Sequence, residues 1–325
     1  MRVTIKDIAM AAGVTPSVVS NVLTGRTAAR CAPAKKQEIM ELVRKMGYRP
    51  NKAAQGLANK KSKQIGLLSY SPKDPAYAEI IAEIHDQLSR KGYGIICGFW
   101  NSIDRVENAF ESVLSYPLDG LISLHDELYE LIPEGLPAVF GGAEFPGKNC
   151  VIQDKEKYFR DAGDFLKKLG HTKIGYFASN ATAMDDLFQK TVQEYGFINK
   201  KKWNRKSTGF YEDALVEAGE LFKESDLPTA ILCRNDYTAL AAMKEAKKAG
   251  IKVPENLTII GADGLQAAFY SDPPLTTFRF PVERFVEKLL EKLFTTDENK
   301  ETVKIPLELQ ERETSGKCPM EKNNN

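Results

Sequence analysis

The run Ala12-Gly13-Val14-Thr15-Pro16 leaves this chain few options, because it stops one short helix and at once starts another. Thr4 can cap a helix over Ile5–Ala12, with Asp7 in its first turn where an acid offsets the positive helix end. Gly13 takes the left-handed conformation that ends it at no steric cost. Thr15 stands as a second N-cap and Pro16 at the first helical position, where its missing N–H would be unpaired anyway. Two helices this short cross steeply only if Ala9 is small at the crossing and Ile8, Val14, Val19 and Val22 fill the core between them. The spacing meets each condition and predicts a helix-turn-helix whose second helix ends near Leu23. Ser17, Val18, Ser20 and Asn21 then fall on the outward face, placed for base edges, with Thr15 or Ser20 placed for phosphate. A third helix, about Ala34–Met46, adds Ile39, Leu42, Val43 and Met46 to the core and stops at Gly47. A plain three-helix bundle is the competing reading.

Charge favours the nucleic-acid reading. Residues 1–62 hold twelve Lys/Arg against Asp7, Glu38 and Glu41, a balance of +9, although the whole chain carries only +1. A basic head on a mildly acidic body suits a head that meets phosphate. A merely solvated basic tail would lack the head's helically spaced Ala, Val, Ile and Leu.

The stretch Tyr48 to Ala58 follows, opened by Pro50, too short and too Gly-interrupted to hold a helix alone. Asn51 can cap it, and Leu57 is either a wedge between base steps or a contact to a neighbouring domain.

The runs VTIKDIAMAAGVTPSVVSNVLTG, MGYRPNKAAQGLA and KKSKQIGLLS resemble the lactose-repressor/galactose-repressor (LacI/GalR) family of bacterial regulators. The likeness continues in LPTAILCRNDYTALAAMKEAKKAGIKVPENLTIIGADG and PPLTTFRFP and spans nearly the whole chain in family order. It implies a homodimer on a roughly palindromic operator in double-stranded DNA, with Thr4 and Pro16 joining the α-helical contacts. It implies a hinge that folds in the minor groove, where Asn51, Ala54 and Leu57 would lie, and a small effector bound between two lobes, expected to be a sugar or sugar derivative. By the same resemblance Asn235 and Asp263 would hydrogen-bond the effector, and Phe210 would pack on it. The chain departs from the family where an arginine is expected, at about Met184, with Leu187 in place of a glycine. Gly142 stands where an acid is expected, Gly264 replaces the second of a paired acid, Ala262 an aromatic, and Asn21 a common arginine. These departures keep open a bulkier or less polar ligand, or a vestigial pocket.

Read from residues alone, 64–279 alternates apolar strands (Ile65–Tyr70, Tyr93–Phe99, Gly120–Leu124, Ala138–Gly141, Ile174–Ala178, Ala230–Cys233, Leu257–Gly261) with helices such as Ala78–Lys91, Tyr158–Leu169 and Tyr237–Ala249. That pattern predicts a parallel α/β body of two doubly wound lobes, resembling periplasmic binding proteins, behind the small all-α head. The expected division is 1–47 head, 48–63 hinge, 64–158 with 280–298 one lobe, 159–279 with 303–318 the other, and 319–325 a tail. Ligands of such sheets sit at the carboxyl ends of strands. There the sequence offers Tyr70 to Tyr77, Trp100-Asn101, Ser179 to Asp185, Arg234-Asn235-Asp236 and Asp263-Gly264. Of these Tyr77 is assigned to the effector, beside the Asn235 and Asp263 that the resemblance assigns to it, and Asp236 to capping its helix.

Signals for other classes are missing from the sequence. His85, His125 and His171 lack metal or triad spacing, and His171 is expected to favour a helix dipole. No P-loop, GxSxG or GxGxxG motif occurs, so no enzyme and no cofactor is expected. The five scattered cysteines read as free thiols. The N-terminal residues carry no signal-peptide pattern, and no apolar run approaches a membrane span, so a cytoplasmic protein is expected. A solute-binding protein with the same body is a second reading, opposed by the basic head.

Overall fold

The computed structural model describes residues 3–25, 31–49, 61–100, 105–124, 131–145, 147–178, 182–295 and 300–319. Asn51, Ala54 and Leu57 lie outside them, as do Asn101 and His125. The chain forms two compact units, residues 1–63 with 117–119, and the remainder.

The first unit contains α1 (Ile5–Ala11), α2 (Pro16–Thr24) and α3 (Pro33–Lys45). Thr4 makes a full capping box with Asp7: the Thr4 N–H and hydroxyl donate to the Asp7 carboxylate (both 2.8 Å), and the Asp7 N–H donates back to Thr4 Oγ1. Gly13 turns with φ +60°. Pro16 opens α2 as expected, but Thr15 does not cap it with its side chain; its hydroxyl pairs with Ser17 Oγ at 2.9 Å. Ile8, Ala9, Ala12, Val19, Val22 and Ile39 are buried together, and Val14 sits half-buried beside them. Lys35 Nζ ties α3 to α1 by donating to the Ala12 carbonyl at 2.9 Å. At the unit's far end the Asp119 carboxylate accepts from the Ser62 N–H and hydroxyl and from the Lys63 N–H.

The second unit is built on two main sheets. The first orders β2 (Gly94–Trp100), β1 (Gln64–Tyr70), β3 (Gly120–Ser123) and β4 (Ala138–Phe140), all parallel. The second orders β12 (Glu308–Gln310), β10 (Thr276–Arg279), β9 (Thr258–Asp263), β8 (Ala230–Cys233), β6 (Ile174–Ala178) and β7 (Arg205–Lys206), parallel except for β12 against β10. A pair of short strands, β5 (Val151–Gln153) and β11 (Val303–Ile305), runs alongside. The central strands are buried along almost their whole length, so they read as continuous apolar runs. Helices cover them: α4 (Pro75–Arg90), α5 (Val106–Leu114), α6 (Lys155–Lys168), α7 (Thr182–Tyr195), α8 (Tyr211–Leu221), α9 (Asp236–Lys248), α10 (Gln266–Tyr270) and α11 (Val282–Phe294). In α11, Val282, Phe285, Val286, Leu289, Leu290 and Leu293 form one buried stripe at helical spacing against β3, β4 and β5.

Two expectations fail here. Asp236 is not a helix cap. Asn235 caps α9, its Oδ1 accepting from the Thr238 N–H at 2.9 Å, while Asp236 is fully buried and accepts from the Leu265 N–H (2.7 Å) and the Thr277 hydroxyl (2.5 Å). It thereby staples the β9–α10 loop and β10 onto α9, and Gly261 makes room for it: a Cβ there would lie 2.2 Å from Asp236 Oδ1. His171 is no helix-end cation either. Its ring is fully buried between Thr229 Oγ1 (3.0 Å), Thr258 Oγ1 (3.1 Å) and the Gly316 carbonyl (3.0 Å), and burial holds its pKa below the ordinary value. A neutral ring joining two strand starts to the C-terminal segment is the result.

Candidate functional site

In the head, α2 buries Val19 and Val22 and turns its other side outward. Thr4, Thr15, Pro16 and Ser17 are exposed; Val18, Ser20 and Asn21 are half-buried. Val18 also packs against the head core, so it offers only part of its surface. Thr4 is engaged in its capping box and Ser17 pairs with Thr15, while Ser17 stays exposed and Asn21 half-exposed on a helix fixed by its own core. The helix-turn-helix therefore presents short polar side chains on a rigid rod that fits the major groove.

In the second unit a cavity of about 340 Å³ opens where carboxyl ends of strands from both main sheets meet. The strand order reverses direction between β1 and β3 and again between β6 and β8, the topological switch points at which α/β sheets bind ligands. The loop after β1 supplies Asp74, Ala76 and Tyr77; β3 and β4 lead to Leu124, Gly141 and Gly142; β8 leads to Arg234 and Asn235; β9 ends in Asp263. Of the four assigned residues, Tyr77, Asn235 and Asp263 line the cavity together. Phe210 does not. It is the residue preceding α8, half exposed after the Thr208-Gly209 turn that Arg234 pins by donating to the Thr208 carbonyl at 2.6 Å.

The cavity wall is chemically mixed. Asn235 is engaged internally by two bonds, accepting from the Thr238 N–H and donating to the Gly209 carbonyl at 3.0 Å, which leaves its second N–H for a ligand. Asp263 has φ +125°, a strained backbone for a non-glycine residue, and such strain gathers at ligand sites. Burial, with the charges of Asp236 and Asp74 nearby, pushes its carboxyl well above the ordinary carboxylate range. Burial likewise raises Asp236 to about 6. Met184 and Gly142, where the family resemblance would place an arginine and an acid, both line the wall. Sequence reasoning missed Gln153, Lys155, Tyr176, Phe280 and Phe285, which complete it. Among the described residues no group of three or more His, Cys, Asp or Glu side chains could hold a metal ion, and no helix is long and apolar enough to cross a membrane.

Comparison with known proteins agrees with both halves. Residues 4–51 match the model for bacterial regulatory proteins of the lacI family, and residues 164–315 match a periplasmic binding protein-like domain. The chain is 29% identical over 324 residues to the HTH-type transcriptional repressor PurR of Mannheimia succiniciproducens, covering 94% of this chain and 96% of that one. It is 28% identical to PurR of Aliivibrio salmonicida, covering 89% and 92%. Its fold matches the lac repressor dimer bound to operator and an anti-inducer with a TM-score of 0.85 at 23% identity, over 97% of this chain and all of that one. The chain therefore joins, in this order, a head that matches bacterial regulatory proteins of the lacI family and a body that matches a periplasmic binding protein-like domain, and it is similar to full-length repressors of that architecture.

Proposed function

We propose that this protein is a sequence-specific DNA-binding repressor, acting as a homodimer in the cytoplasm, whose operator affinity is set by a small effector in the cavity of its body. The observation that carries this reading is the head: α2 is held by a complete core while Ser17, Ser20 and Asn21 face outward on a +9 unit. The relatives' name supplies the direction of control, repression. Pairing of two chains is supported by Phe269 and Tyr270, 59% and 74% exposed beside an apolar groove of Leu240, Met243 and Val253; paired polypeptides cover such patches. Residues 48–63 act as the hinge, with Asn51, Ala54 and Leu57 entering the minor groove, and Leu57→Ala weakens specific binding more than nonspecific binding. The lobes divide at 158/159 and 279/280. An effector that prefers one lobe arrangement shifts DNA affinity by linkage.

The effector is a carbohydrate-related molecule, in keeping with a small, half-polar cavity at strand ends. A second reading, a sensor that takes no ligand, draws on Asn235, whose amide already makes two internal hydrogen bonds. Thermal-shift screening decides between them, because a ligand held about 100-fold above its Kd adds roughly 2.7 kcal/mol. A screen of sugars, sugar acids and nucleosides with no shift by any compound would refute the live pocket.

A further inference from the structure

The cavity's charges and its one unsatisfied hydroxyl point to a particular class of occupant. Two cations line it, Lys155 and Arg234. Lys155 is the first residue of α6, where a positive side chain meets the positive end of the helix and gains nothing from it. Among the described residues it has no ion-pair partner. Arg234 precedes the Asn235 cap of α9 and spends one nitrogen on the Thr208 carbonyl, which leaves its remaining N–H groups without a carboxylate partner within ion-pair distance. Two acids, Asp74 and Asp263, also line the wall. Asp74 accepts the Ala76 N–H as the cap of α4, and Asp263 is held toward its neutral form by burial and by the other two acids around it. The wall therefore offers two cations that no carboxylate of the described residues pairs.

The independent observation is Tyr176. Its ring is 1% exposed, stacked on Phe188 with centroids 4.8 Å apart, and it lines the cavity. Its hydroxyl is buried with no hydrogen-bond partner. A buried unpaired hydroxyl costs about 1–3 kcal/mol, and such groups persist where a ligand satisfies them. The expected family arginine is absent at Met184, so the guanidinium of this wall comes instead from Arg234. Gly142 removes an acid that would repel an anion. Tyr77, Ile80, Met184, Phe280 and Phe285 give the rest of the wall an apolar face.

We infer that the effector of this protein carries an anionic group, a carboxylate or a phosphate, held by Arg234 and Lys155, with the Tyr176 hydroxyl donating to the bound molecule. The inference rests on the cavity being the effector site. Charge-assisted bonds from a guanidinium explain the choice of an anion over a neutral polyol.

Matched pairs test it on the full-length protein by calorimetry: galacturonate against galactose, gluconate against glucose, and glucose 6-phosphate against glucose. The acid or phosphate of at least one pair is expected to bind about tenfold or more tightly than its neutral parent, a gap of roughly 1.4 kcal/mol. The uronate and phosphate arms separate the two anion chemistries. Lys155→Met and Arg234→Gln should each remove most of that advantage, and Tyr176→Phe should weaken acid and parent alike by several-fold. Because Arg234 also braces the Thr208-Gly209 turn, Lys155→Met carries the decision if Arg234→Gln lowers the melting temperature. Neutral parents binding as tightly as their acids, or an acid whose affinity survives Lys155→Met, would overturn the inference while leaving the effector site in place. Binding by none of the probes would overturn both.

Discussion

The recognition helix and the effector cavity are built on opposite plans. In the head, one continuous segment supplies the scaffold and the working face together: Gly13, Pro16 and the buried Ile8, Val19 and Val22 fix α2, and its contact residues follow at helical offsets. In the body, the cavity wall is collected from strands of both main sheets, from β5 and from helices far apart in the chain. Losing one core residue in the head is expected to remove the whole unit's function, whereas losing one residue of the cavity wall removes one contact.

That difference can be tested by trying to break each half separately. The largest effect is expected for Ile39→Ala. It hollows a core of only six buried residues, costs about 2–4 kcal/mol, and should abolish operator binding. The body's melting transition should stay where it was; a shift of both transitions would mean the head does not fold as its own unit. Next is Gly261→Ala, whose Cβ would lie 2.2 Å from a buried carboxylate oxygen. A body destabilised by on the order of 3 kcal/mol is expected in thermal or denaturant melts, with the head's nonspecific DNA affinity retained. Unchanged stability would mean that Asp236 moves freely, contrary to its two tight bonds. Asn21→Ala is smaller still. It should relax preference at one base pair of each half-site by about 1–3 kcal/mol, read by competition with single-substitution duplexes; a uniform loss at all positions would make Asn21 a phosphate contact.

The smallest effect concerns His171. Its folded pKa lies below 6.5, so the unfolded chain takes up the proton first. The stability that the buried neutral ring contributes is complete above pH 6.5 and is lost as pH falls through that value toward the folded pKa. The gap in melting temperature between the wild type and His171→Gln should therefore narrow from pH 7.5 to pH 5.5. A constant gap would mean that the ring is not held neutral. Asp236 acts in the opposite sense, since its raised pKa of about 6 makes the folded state the better proton binder.

The same contrast explains what could be read from the sequence. The head was legible because caps, turn and core obey local spacing. The main strands of the body were legible as apolar runs, and with them the strand-end residues Asp74, Tyr77, Arg234, Asn235 and Asp263. Tyr176 was not, because it sits inside a wholly buried strand and looks like any core aromatic until the sheet fixes which side it faces. Gln153 ends a three-residue strand whose partner, β11, lies near the other end of the chain, and Lys155 opens the helix that follows it, so no local periodicity announces them. The cap falls to Asn235 and not to Asp236 because either can cap a helix by sequence. Only the neighbouring Leu265 N–H and Thr277 hydroxyl, brought in by the fold, decide between them.

Everything proposed for this protein depends on residues 1–62 reading a specific DNA sequence. The most direct measurement is selection from a random duplex library with the full chain and with a chain lacking those residues, followed by binding at 50 and 200 mM salt. An enriched inverted repeat is expected for the full chain alone, with affinity falling by orders of magnitude across that salt range as phosphate contacts release counterions. No enriched sequence, or the same sequence enriched by the shortened chain, would contradict it.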